Sequence, residues 1–103
     1  MAQKTPPSED FERRLFEFSI GDLRLQDTIL EKAGQRKAAG LLRDLLLDWR
    51  AYPSRTVYSP AQLRRYAAAL QKIATALRKA GQAAAADLAA RIGREIDGWT
   101  RKP

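Results

Sequence analysis

A chain of 103 residues, 45% hydrophobic and 30% charged, has apolar material for one modest core and too little length for a second. It has no cysteine and no histidine, which removes disulfides, thiolate nucleophiles, imidazole acid–base catalysis and zinc ligation by nitrogen or sulfur. The net charge of +7 sits in one half: nine acidic and nine basic residues cancel over 1–50, whereas 51–103 hold ten Lys or Arg against Asp87, Glu95 and Asp97, and no acidic side chain occurs between Trp49 and Ala86.

In chain order, residues 1–7, with Pro6 and Pro7, read as a flexible tail without the apolar segment of a secretory leader, and no later run approaches a membrane span. A cytoplasmic protein is the expectation. Ser8 then offers an N-cap, with Glu9 and Asp10 in the first turn and Phe11, Leu15 and Phe18 at helical spacing. Ser19 and Asp22 have capping-box spacing around Gly21, which predicts a break there and a second helix from Ile20 to Ala33, closed by Gly34. A third helix, Arg36 to Tyr52, places Ala38, Leu41, Leu42, Leu45, Leu46, Trp49 and Tyr52 on one broad face, and Pro53 stops it. After a linker over 53–60, Ser59, Pro60 and Gln62 form a strong start signal for a fourth helix running to Gly81. A fifth runs from Ala83 to Trp99.

The phrase "ILEKAGQRKAAGLLRDL" at 29–45 returns as "ALRKAGQAAAADLAARI" at 76–92, an offset of 47 that superposes Leu30, Lys32, Ala33, Gly34 and Gln35 on Leu77, Lys79, Ala80, Gly81 and Gln82. Duplication and convergence on one glycine-capped turn account for it equally well. Either way the expected architecture is all-α: a compact four- to five-helix bundle of two Gly-turned αα-hairpins (20–52 and 61–99) after a short leading helix, within a single domain over 8–103. Two such units are too few for a solenoid.

The fourth helix carries the most information. Leu63, Tyr66, Leu70, Ile73 and Leu77 alternate three and four apart as a core seam. Opposite it, Arg65, Lys72 and Lys79 form one row at heptad spacing and Arg64 and Arg78 a second. No carboxylate lies within the helix to neutralise them. A face of one sign is either solvated, neutralised by the acidic first half, or matched to a polyanion, and the last predicts nucleic-acid backbone contact through Arg64, Arg65, Lys72, Arg78 and Lys79, extended by Arg55, Arg91 and Arg94. Tyr58 either stacks on a base or packs back on the bundle; Trp49 and Trp99 are expected in the core.

"SPAQLRRYAAALQKI", residues 59–73, resembles the Ser/Thr-Gln-Ile/Leu-Arg helix opening of the helical small subunits of CRISPR effector complexes. Those are basic bundles that line the path of guide and target strands. The resemblance covers about fifteen residues and implies that Arg64 and Arg65 face nucleic acid.

No catalytic constellation stands out, no cofactor or metal is expected, and Asp44 and Asp48, flanked by Arg43 and Arg50, read as surface charge. The expected role is that of a non-catalytic, nucleic-acid-binding subunit or accessory of a larger complex. The alternative is a protein-interaction module whose basic face docks an acidic partner, with one of Phe11, Phe16 and Phe18 exposed for contact. Membrane-surface binding is disfavoured because the fourth helix spends its apolar face on the bundle.

Overall fold

The computed structural model describes residues 7–53 and 57–100, with side chains from Arg14 onward within those ranges. Among the described residues the secondary structure is helical with no strand, forming a compact all-α bundle: α1 (Pro7–Leu23), α2 (Gln26–Lys32), α3 (Arg36–Ala51), α4 (Pro60–Lys79) and α5 (Ala83–Trp99).

The recurring phrase corresponds to two helix ends of the same construction. At the first, Gly34 adopts φ 83°, its N–H donates to the Glu31 carbonyl at 3.1 Å, and the Gln35 N–H donates to the Leu30 carbonyl at 2.8 Å. At the second, Gly81 adopts φ 81°, its N–H donates to the Arg78 carbonyl at 3.1 Å, and the Gln82 N–H donates to the Leu77 carbonyl at 2.8 Å. This is the Schellman closure, in which a left-handed residue lets two amides turn back onto the last carbonyls, and glycine reaches that conformation without steric cost. α2 packs on α3, and α4 packs on α5.

The expected break at Gly21 is displaced. α1 continues through Ser19 and Gly21 because the Ser19 hydroxyl donates back to the Leu15 carbonyl at 2.6 Å instead of capping a new helix. Ser19 is only 2% exposed, so that internal bond is its means of satisfying the hydroxyl. The chain turns instead at Leu25, a non-glycine residue at φ 76°, and α2 is left with seven residues. α4 starts with a complete capping box: the Gln62 N–H donates to Ser59 Oγ at 3.1 Å, and the Ser59 N–H donates to Gln62 Oε1 at 2.8 Å.

The core has an aromatic end and an aliphatic end. Phe16 of α1 is fully buried, its ring centroid 5.0 Å from Trp49 of α3 and 5.5 Å from Trp99 of α5, both edge-on, and 5.9 Å from Tyr58. One side chain thereby joins α1, α3, α5 and the segment before α4. Toward the glycine turns the filling becomes Leu30, Leu42, Leu70, Ile73 and Leu77, all fully buried. Leu63, Leu70, Ile73 and Leu77 form the inward seam of α4, with Tyr66 half-buried at its edge. Of the apolar face expected on α3, Leu41 and Tyr52 lie exposed. Where α5 crosses α4, Gly93 leaves no room for a side chain: a Cβ there would lie 3.2 Å from Leu70 Cβ and 3.3 Å from the Ala67 carbonyl oxygen.

Candidate nucleic-acid interface

The polar face of α4 is set by its seam. With 63, 70, 73 and 77 turned inward, about 100° per residue carries Arg64, Arg65, Lys72, Arg78 and Lys79 outward, and all five are exposed. Arg64, Arg65, Lys72 and Lys79 make no ion pair among the described residues. Three carboxylates of the neutral half, Asp27, Glu31 and Asp48, are engaged elsewhere. Asp27 and Glu31 of α2 both bind the guanidinium of Arg43 on α3, Asp27 at 2.9 Å, and those contacts raise the Arg43 pKa further. Asp48 accepts the Tyr66 hydroxyl proton at 2.8 Å.

The row does not present one continuous stripe. Arg78 leans toward α5 and pairs with Asp87 at 3.1 Å, in a groove whose other cations are Arg91 and Arg94. No carboxylate search along α4 alone could find this partner, because it lies beyond the Gly81 turn. Lys72 and Lys79 lean the other way, into an open groove of about 730 Å³ between α4 and α3. Its opposite wall carries Arg36 and Lys37, from the first turn of α3, and a single carboxylate, Asp44. Sequence reading passes over Arg36 and Lys37 because they belong to the half whose charges cancel. The signal that could have found them is the repeat itself, which places Ala83 and Ala84 at the equivalent positions.

The aromatic residues do not join this surface. Tyr58 is buried, and its hydroxyl reaches the carbonyl oxygens of Tyr52 at 2.6 Å and Asp48 at 2.9 Å. Burial, with the nearby negative charge of Asp48, pushes its pKa up to about 12. Of the two readings of Tyr58, packing back on the bundle is the one the structure shows, and a base-stacking role is excluded: the side chain belongs to the core. Burial and the bond to Asp48 raise the Tyr66 phenol in the same way. Trp49 and Trp99 are core residues. Arg55 lies outside the described residues, as does the Phe11 side chain. Of the other two phenylalanines, Phe16 is buried and Phe18 is 65% exposed.

Among the described residues, no group of three or more acidic side chains is placed to hold a metal ion, and no helix is long and apolar enough to cross a membrane. No family model, curated protein or solved structure matches this chain. Its functional reading rests on its own geometry.

Proposed function

We propose that this protein binds the sugar–phosphate backbone of nucleic acid, without catalysis, as a small subunit or accessory of a larger cytoplasmic assembly. The observation that carries the reading is the outward face of α4, where Arg64, Arg65, Lys72 and Lys79 are exposed and make no ion pair among the described residues, while the carboxylates of α2 and Asp48 are engaged elsewhere. A surface of one sign is repulsive in the free protein, and a polyanion converts that repulsion into affinity by releasing counterions. Among the described residues no aromatic ring lines the groove beside this face, which favours contact with phosphates over reading of bases. The likeness of residues 59–73 to the helix opening of CRISPR small subunits points the same way. In this reading the two Gly-turned hairpins are a rigid holder for the basic helix.

The test is fluorescence anisotropy of labelled single-stranded RNA, single-stranded DNA and duplex DNA from about 50 to 200 mM salt, where three to five phosphate contacts give a log–log slope of roughly −2 to −5. The Arg65→Gln/Lys72→Gln/Lys79→Gln variant is expected to flatten that slope. Absence of binding at low salt, or binding that the triple variant leaves intact, overturns the proposal.

A second reading is favoured by one observation: the α3–α4 groove has an apolar residue, Leu41, exposed between its cationic walls. An acidic protein segment with an apolar side chain fits such a groove, and its binding would retain a salt-resistant component.

A further inference from the structure

We infer that α3 supplies half of the nucleic-acid surface: backbone phosphates are held in the α3–α4 groove between Arg36 and Lys37 on one wall and Lys72 and Lys79 on the other. This rests on the nucleic-acid reading and extends it to a helix from the electrically neutral half of the chain.

Three observations carry it. First, the four cations come from two helices yet line one groove. All four are exposed, none makes an ion pair among the described residues, and the one carboxylate on the groove is Asp44.

Second, the molecule contains its own comparison. The Gly34 and Gly81 turns share their φ values and their hydrogen bonds to within 0.1 Å or so, but Gln35 is followed by Arg36 and Lys37, and Gln82 by Ala83 and Ala84. The turn therefore forms equally well with alanines. Arg36 and Lys37 also sit in a helix's first turn, where the aligned peptide dipoles already place positive partial charge and cations are disfavoured. Two cations that the turn does not require, placed where the helix resists them, are positioned to meet an anion outside the protein.

Third, the floor between the walls is small: Ala38, Gly40 and Ala76 beside Leu41. Short side chains there let a strand's phosphates approach both pairs of cations, and no ring offers a base a platform. The expected ligand is thus a phosphodiester chain bound without sequence preference.

The experiment uses Arg36→Ala/Lys37→Ala, which copies the second repeat into the first, with anisotropy of labelled oligothymidine as the readout. A control variant, Arg24→Ala/Arg50→Ala, loses the same net charge outside the groove. The groove variant should melt no lower than wild type, bind about tenfold more weakly at the higher salt, and show a slope shallower by about 2. Asp44→Asn, which removes the groove's carboxylate, should tighten binding and stands as the decisive variant if the double substitution fails to fold.

If the groove variant binds as wild type does while Arg65→Gln/Lys72→Gln/Lys79→Gln loses binding, the inference falls and the nucleic-acid reading stands. Equal losses in the groove and control variants reduce the effect to net charge and overturn the site. Polyglutamate displacing the oligonucleotide at matched charge, with salt-resistant affinity of its own, assigns the groove to an acidic protein instead. If wild type binds no nucleic acid at all, both readings fall together.

Discussion

Arg78 Nη2 and Asp87 Oδ1 meet at 3.1 Å across the Gly81 turn, so that the last turn of α4 is tied to the first half of α5 by an exposed ion pair. In solvent such a pair contributes less than about 1 kcal/mol to stability. Its larger effect is on ligands, because a paired guanidinium offers an incoming phosphate less than a free one. Asp87→Asn should therefore leave the melting temperature nearly unchanged, tighten oligonucleotide binding several-fold and steepen the salt slope by up to about 1. In the wild-type background, Arg78→Gln should weaken binding less than Lys79→Gln. The reverse order in an anisotropy titration would show that Arg78, not Lys79, meets the ligand.

Gly93 and Gly21 should respond oppositely to alanine. A Cβ on Gly93 would press against Leu70 Cβ at 3.2 Å and the Ala67 carbonyl at 3.3 Å, neither of which can swing aside, whereas one on Gly21 meets nothing within 4 Å. Overpacking at a helix crossing costs about 1–3 kcal/mol, partly offset by the 0.5–1 kcal/mol or so that alanine gains over glycine inside a helix. Gly93→Ala should lose about 1 kcal/mol in urea unfolding, and Gly93→Leu considerably more. Gly21→Ala should gain about 0.5–1 kcal/mol. A stabilised Gly93→Ala would mean that α4 and α5 can separate slightly without loss.

Leu25 pays for the turn between α1 and α2. Its φ of 76° is a left-handed conformation that costs an L-residue about 1–2 kcal/mol. It is also 62% exposed, beside Leu47 of α3 at 61%, so little burial is recovered in exchange. Leu25→Gly should raise stability by about 0.5 kcal/mol or more, after the entropy that glycine gains in the unfolded chain is subtracted. A destabilised variant would indicate that the Leu25 side chain contributes packing beyond its exposure.

The Tyr58 phenol gives the fold an alkaline limit. Its pKa rises from 10.0 to about 12 on folding, chiefly because burial disfavours the phenolate. The native state therefore holds the neutral phenol, whose contribution is complete below the unfolded value and disappears as pH climbs through the window between the two. Urea melts should show stability level near neutrality and falling between about pH 10 and 12. Tyr58→Phe should be less stable at neutral pH, having lost the bonds to the Tyr52 and Asp48 carbonyls, and should fall less steeply in alkali. An identical alkaline slope in both proteins would exclude Tyr58 as its source.

The helical class and much of the core were legible because their signals are local. The seam of α4 follows from three- and four-residue spacing, its start from Ser59, Pro60 and Gln62, and both Schellman closures from glycine after a run of good helix formers. The break at Leu25 was not legible, because neither glycine, proline nor a capping side chain marks it, and Gly21 diverts attention four residues upstream. Only the folded structure shows that Ser19 bonds backward. The basic residues of α4 were visible as a pattern of one sign along one helix. Their division was not: Arg78 meets Asp87 on α5, and Lys72 and Lys79 face Arg36 and Lys37 on α3, through relations between helices that no periodicity encodes.

The gathering of Trp49, Trp99, Tyr58 and Phe16 at one end of the bundle separates two spectroscopic channels. The indoles are shielded from solvent, and Trp49 lies thirteen residues along α3 from Arg36, about 20 Å at the helical rise. Tryptophan emission should thus follow unfolding faithfully and ignore a phosphate chain seated in the groove. With Arg64→Gln/Arg65→Gln removing contact beside Tyr66, whose ring centroid lies 6.0 Å from Trp49, an emission change on adding oligonucleotide would report a repacking of the bundle itself, so the unlabelled protein carries its own indicator of whether groove binding is rigid docking or rearrangement.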